Sequence, residues 1–175
     1  MRHYLRIYPD PVLRKKAANI DDFSKNLTVL VSDMRRILAE VGGVGLAAPQ
    51  IGVSKRVILV RMNPMGRVED EDVRVFINPE IMDATGSRIG EEGCLSIPDV
   101  LGEVERSAQV KIRAKDLLGK HLDFTAQDLV SVIFQHEIDH LDGILFIDRM
   151  SAAKKITISS QLKQLKKKYQ KDRKS

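Results

Sequence analysis

The stretch TAQDLVSVIFQHEIDHLDG, residues 125–143, decides the fold class. Leu129, Val132, Ile133, His136 and His140 recur at helical intervals. Gln127 or Asp128 falls in the first turn and Gly143 at the end, so a helix is expected from near Thr125 to Gly143. Its apolar content calls for burial. Upstream lie short β-rich runs, Val57 to Met62, Val73 to Asn78, Val104 to Ala114 and Leu122 to Thr125, parted by Pro, Gly and acidic turn segments. Strands followed by a helix, without regular alternation of the two, predict α+β rather than a doubly wound parallel fold. The expectation is mostly antiparallel or mixed β-sheets packed around the helix that carries His136 and His140.

A helix is also expected from Asp21 to Val41, where Leu27, Leu30, Val31, Met34, Leu38 and Val41 share a face. Asp22 or Ser24 is placed to cap its start and Gly42-Gly43 to end it. From Ser151 to about Gln170, Ile158, Leu162, Leu165 and Tyr169 form one stripe amid lysines, which predicts an amphipathic helix docked by its apolar face. No repeat or Gly/Ser linker divides the 175 residues. One domain over residues 1–150 with a basic helical tail over 151–175 is the expected organisation.

With 43% hydrophobic and 30% charged residues the composition is that of a globular chain. No apolar run approaches the roughly 20 residues that cross a bilayer. The first residues carry scattered charges and no apolar core, so no secretory signal is read there and the mature chain is expected to begin near Met1. A single cysteine, Cys94, excludes an internal disulfide and suits a reducing, cytoplasmic compartment. The net charge of +5 is concentrated at the C-terminus, where Lys154, Lys155, Lys163, Lys166, Lys167, Lys168, Lys171, Arg173 and Lys174 face only Asp172. That asymmetry suggests an anionic partner for the tail rather than for the whole chain.

Three segments carry chemistry. In His136-Glu137-Ile138-Asp139-His140 the histidines lie four apart on a predicted helix, so both rings can face one metal ion while Glu137 reaches a water beside it. The plainer alternative is two polar histidines on an exposed face, but in so apolar a helix unpartnered histidines would be costly to bury. A catalytic centre usually has a third protein ligand, and Cys94 in Glu91-Glu92-Gly93-Cys94-Leu95-Ser96 is a candidate. Taken alone, such a cysteine is as readily a small buried hydrophobe or a nucleophile. Gly43-Val44-Gly45-Leu46-Ala47-Ala48-Pro49-Gln50 admits close backbone approach and ends in an amide able to donate to an oxyanion, or it is an ordinary loop after a helix. It lacks the lysine and the glycine spacing of a phosphate loop.

Gly43 to Gln50, Glu92 to Ser96 and Gln135 to Gly143 resemble, position by position and in order, the three signature motifs of peptide deformylases, and the similarity of spacing extends to about Asp148. The resemblance implies a hydrolase that removes the formyl group from the N-terminal formylmethionine of nascent polypeptides and releases formate. Cys94, His136 and His140 would hold one divalent metal ion, usually Fe2+, with Ni2+, Co2+ or Zn2+ as substitutes. Glu137 would be the proton-transferring carboxylate, and the Gln50 amide and the Leu95 backbone N–H would meet the formyl oxygen. Gly43 and Gly45 would leave little room for a larger acyl group, and Val44, Leu95, Ile133 and His136 are candidates for the methionine pocket.

Asp139 or Glu92 is a candidate for the carboxylate that orients a ligand histidine, and Arg106 for the partner of Glu92. His3 and His121 are read as structural or solvated. Some deformylases resembling this chain use a basic C-terminal helix to contact the ribosome near the exit tunnel, which makes the tail a candidate ribosome contact and truncation after Met150 its simplest test. No membrane or DNA partner is expected. The competing readings are a zinc peptidase that cuts internal bonds, which would leave Cys94 and Gln50 unexplained, and a basic ribosome- or RNA-binding module with an inert metal.

Overall fold

In the computed structural model, which describes residues 3–66 and 72–172, two antiparallel sheets flank a buried helix. Met1, Arg173 and Lys174 lie outside the described residues. The first long helix, α1, spans Lys25–Val41, starting four residues later than the periodicity suggests. Ser24 occupies its N-cap position but its hydroxyl makes no capping hydrogen bond. Leu27, Leu30, Val31, Met34 and Leu38 face the core as expected, joined by Ile37, while Val41 is half exposed. The helix stops at Gly42, whose φ of 68° is the left-handed conformation that lets its N–H bond back to the Leu38 carbonyl.

The five-stranded sheet has the order β1-β2-β3-β6-β7, built from Gly45–Ala47, Val57–Arg61, Val73–Thr85, Gln109–Lys115 and His121–Gln127. A separate hairpin pairs β4, Arg88–Cys94, with β5, Ile97–Arg106. The run Val104 to Ala114, expected as one strand, is therefore split between the two sheets, and β3 continues past Asn78 to Thr85. Turn chemistry gave no warning of the break, because Ser107 and Ala108 are ordinary residues. The break is set instead by Gln135 and Ser131, which hold the Ser107 peptide through its N–H and carbonyl.

Helix α2 runs from Asp128 to Leu141, three residues later than expected. Strand β7 pairs with β6 through to Gln127, so Thr125 and Ala126 belong to the sheet. Ile133, Phe134, Ile138 and Leu141 pack on Ile58, Val60, Phe76, Val110 and Ile112 of that sheet. The expected α+β architecture is thus borne out, with α2 at its centre.

After a short helix α3, Phe146–Arg149, the C-terminal stripe folds as two helices: α4, Ala152–Thr157, and α5, Ser159–Asp172. The expected single helix breaks at Ile158, where the Thr157 and Ser159 hydroxyls bond the Lys154 and Ile156 carbonyls and compete with its continuation. The break turns Ile158 inward to 4% exposure, and Leu162 and Leu165 pack beside it on Leu13, Ile97 and Val100. Truncation after Met150 would strip this cluster, so it is not a clean test of the tail. Replacing Ile158 by Ala is expected to cost ~2–5 kcal/mol in denaturant unfolding, whereas Ile156→Ala, at 73% exposure, should change stability by less than about 0.5 kcal/mol. Equal effects of the two would contradict docking of the C-terminal helices through Ile158.

Candidate metal centre

Cys94 ends strand β4, and His136 and His140 stand one turn apart on α2. Their ligand atoms lie within 4.8 Å of one another, the single such cluster among the described residues. Cys94 Sγ is 3.2 Å from His140 Nε2. A tetrahedral site with metal–sulfur and metal–nitrogen bonds of usual length would set that separation at about 3.5 Å. The donor set therefore fits a borderline or soft divalent ion held by one thiolate and two imidazoles.

What brings hairpin and helix together is a buried ion network. Arg106 lies on the inward face of β5, in phase with Val100 and Val104 along the alternating strand. Its Nε and Nη2 donate to the two Glu92 oxygens at 2.8 and 3.1 Å, and its Nη1 donates to Asp139 Oδ2 at 2.5 Å. Glu92 Oε2 in turn accepts from His136 Nδ1 at 2.9 Å. That bond keeps a proton on Nδ1, so Nε2 is the nitrogen placed to face a metal. Of the two carboxylates considered for orienting a histidine, Glu92 does so. Asp139 instead bridges Arg106 and Arg149, the latter at 2.6 and 3.1 Å. The Nδ1 of His140 is buried with no hydrogen-bond partner.

Charges at the centre are strongly perturbed. Burial pushes Glu92 up, but hydrogen bonds from His136 and Arg106 outweigh it and hold the carboxyl at about 2. Burial raises Glu137 to about 7, with the negative Glu92 adding to the effect against the pull of His136 and Arg106. Burial and the positive charge of His136 depress His140 well below the usual histidine value, whereas for His136 burial is overcome by bonds to Cys94 and Glu92 that raise it. Glu137 is 4% exposed and its Oε2 has no hydrogen-bond partner, leaving an acceptor and a perturbed acid at the same place.

The expected Gly43–Gln50 loop is a short strand, β1, followed by a 3₁₀ turn, Ala48–Ile51. Gln50 accepts from the Ala47 N–H at 2.8 Å through Oε1. That bond turns its amide nitrogen toward Cys94 Sγ, 3.5 Å away, and toward Ser96 Oγ, 3.3 Å away. The centre opens into a cleft of about 610 Å³ whose lining includes Gly43, Val44, Gly45, Gln50, Cys94, Leu95, Ile133, His136 and Glu137. Every residue proposed for the substrate pocket therefore lies on it. Sequence reasoning missed Leu129 and Val132, which the same helical spacing as Ile133 and His136 could have located, and Leu5 and Pro98, for which no local signal exists. His3 bonds Asp33 at 2.7 Å and His121 is an exposed strand residue, both away from the cleft.

An α+β scaffold with a thiolate and two imidazoles beside a buried carboxylate defines a metal-dependent hydrolase. Residues 3–156 match the family described as polypeptide deformylase. The chain is 44% identical to a peptide deformylase of Acidobacterium capsulatum across 90% of this chain and 92% of that protein. It is 49% identical to one of Heliobacterium modesticaldum across 81% and 89%. Among solved structures, a Plasmodium falciparum peptide deformylase superposes with a TM-score of 0.90 at 39% identity, covering 95% of this chain and 97% of that one. The chain belongs to the polypeptide deformylase family, and so is a metal-binding hydrolase that removes the N-formyl group from nascent peptides.

Replacing Arg106 by Met leaves Glu92 and Asp139 buried without their shared partner, an expected loss of ~3–5 kcal/mol. Freed from its anchor, Glu92 would also orient His136 less well, so metal affinity should fall by roughly 10–100-fold. Titration with a competing chelator, on protein shown to be folded by circular dichroism, measures this. Unchanged affinity would mean that the network does not position His136.

Proposed function

We propose that Cys94, His136 and His140 hold one divalent ion, Fe2+ in the native protein with Ni2+, Co2+ or Zn2+ able to substitute, and that Glu137 moves the protons of deformylation. The observation that carries this reading is the placement of Glu137, buried and with an unpartnered oxygen beside the ligand triangle at the wall of the cleft. When bound, the ion supplies Lewis acidity, bringing the pKa of a coordinated water toward about 7. Glu137 accepts a proton as the water oxygen bonds to the formyl carbon. It passes that proton to the methionine nitrogen as the carbon–nitrogen bond breaks, and formate leaves.

The Gln50 amide, held by Ala47, and the Leu95 backbone N–H donate to the oxygen that gains charge at the formyl carbon. One such donor is worth ~2.7–4 kcal/mol. The formyl preference has a steric source at Gly45, where an added Cβ would collide with Glu137 Oε1 and stand 2.9 Å from Ile133 Cγ2. At Gly43 it would come within 2.9 Å of Leu38 Cδ1 and 3.0 Å of Leu95 Cδ1. The wall is therefore backbone, with Val44, Leu95, Ile133 and His136 lining the space for the methionine side chain.

With iron or nickel supplied anaerobically, the protein is expected to hydrolyse formyl-Met-Ala-Ser and leave the acetylated form untouched. Glu137→Gln should retain the metal and lose ~10²–10⁴-fold in kcat. A variant with unaltered turnover would remove Glu137 from the chemistry, and cleavage of unblocked peptides at internal bonds would favour a peptidase.

The exposed lysines of α5 support a second proposal, that this helix contacts ribosomal RNA near the exit tunnel. Lys163 and Lys167 lie one turn apart on its outer face, away from the cleft. Replacing both by Glu is expected to weaken ribosome cosedimentation in a salt-dependent manner while sparing hydrolysis of short peptides. Equal cosedimentation of variant and parent would exclude the contact.

A further inference from the structure

Leu5 and Pro98 line the metal cleft and also line a second depression of about 420 Å³, so the two spaces adjoin. The second is closed by Leu165, Lys168 and Tyr169 of α5, with Arg6 also on its lining. The ridge between them is fixed to the segments that carry Gln50 and Ser96. The Arg6 N–H donates to the Gln50 carbonyl at 2.7 Å and the Tyr8 N–H to the Ser96 carbonyl at 2.8 Å. The far wall lies beyond residue 156, where the match to the family model ends.

We infer that this depression is a distal peptide groove that takes the substrate segment several residues beyond its methionine. The inference rests on the deformylase reading, since it needs a polypeptide leaving the metal cleft. Such a substrate must leave over the rim, and an extended chain advances about 3.3 Å per residue, so a few residues carry it past Leu5 and Pro98. The volume lies within the range of small-ligand sites. Leu165 and Tyr169 give the groove an apolar side. On the charged side, Asp10 also lines the groove and stands 4.0 Å from Arg6, which offsets its charge, whereas Lys168 is exposed and in no ion pair among the described residues. The groove therefore favours acidic over basic side chains in the distal part of the substrate.

The test compares formyl-Met-Ala-Ser with two formylated octapeptides that share those three residues and carry either two glutamates or two lysines in their distal half. The full-length, metal-loaded protein is used at low salt. The glutamate octapeptide is expected to exceed the lysine one in kcat/KM by roughly fivefold, as suits one exposed charge pair, with the difference in KM and shrinking as salt is added. Lys168→Gln should abolish the preference and Lys168→Glu should reverse it, with formyl-Met-Ala-Ser turnover unchanged in both. Equal values for the two octapeptides, or a preference that survives Lys168→Glu, would overturn the groove. Failure of the unaltered protein to cleave formyl-Met-Ala-Ser would overturn the deformylase reading and the groove with it, a result separable from loss of the distal preference alone.

Discussion

A single guanidinium, that of Arg106, ties the two halves of the metal centre to each other. It sits almost fully buried between Glu92 on the hairpin and Asp139 on the central helix. Taking three charges out of water is costly, and the cost is recovered only when each finds its partners in good geometry. The arrangement therefore tolerates little sliding of hairpin against helix. Cys94 lies two residues from Glu92, and His136 and His140 flank Asp139. The register that satisfies Arg106 is the register that brings sulfur and imidazoles to one point. The protein spends a buried ion network on alignment, where an apolar contact would hold the two elements together with more freedom to shift.

The cleft follows from a second constraint, the absence of side chains on one of its walls. Gly45 pairs with Val60 at the edge of the sheet and faces Glu137, so backbone rather than a side chain borders the cleft there. Around that wall the chain assembles distant pieces. The N-terminal segment is hydrogen-bonded to Gln50 and Ser96, and α5 packs beside β5 through Leu162 and Leu165. The apolar cluster that seats α5 also includes Cys94. The C-terminal helix is thus mechanically continuous with the strand that supplies the sulfur.

How much of this was legible differs from residue to residue. His136, Glu137 and His140 could be placed on one helical face from spacing alone, because a helix is a local structure whose geometry a short sequence fixes. The β-rich character of Val104 to Ala114 was likewise legible, but the run carries no turn signal between Arg106 and Val110, so two strands in different sheets read as one. The ends of α2 and of the C-terminal helix were misplaced for related reasons. Pairing with β6 outcompeted helix formation at Thr125 and Ala126, and burial of Ile158 outcompeted a continuous helical stripe.

By itself the sequence determined the fold class, the candidate metal ligands and, through its resemblance, the family to which the chain belongs, since periodicity and ordered motifs are properties of neighbours along the chain. Only the tertiary structure decided that Glu92 rather than Asp139 orients His136, that Arg149 joins the network, and that Leu5, Pro98 and α5 extend the cleft. Those contacts join residues far apart in sequence. Their selection depends on which buried charges find partners and which apolar faces are covered once the whole chain has packed, and no local pattern encodes that.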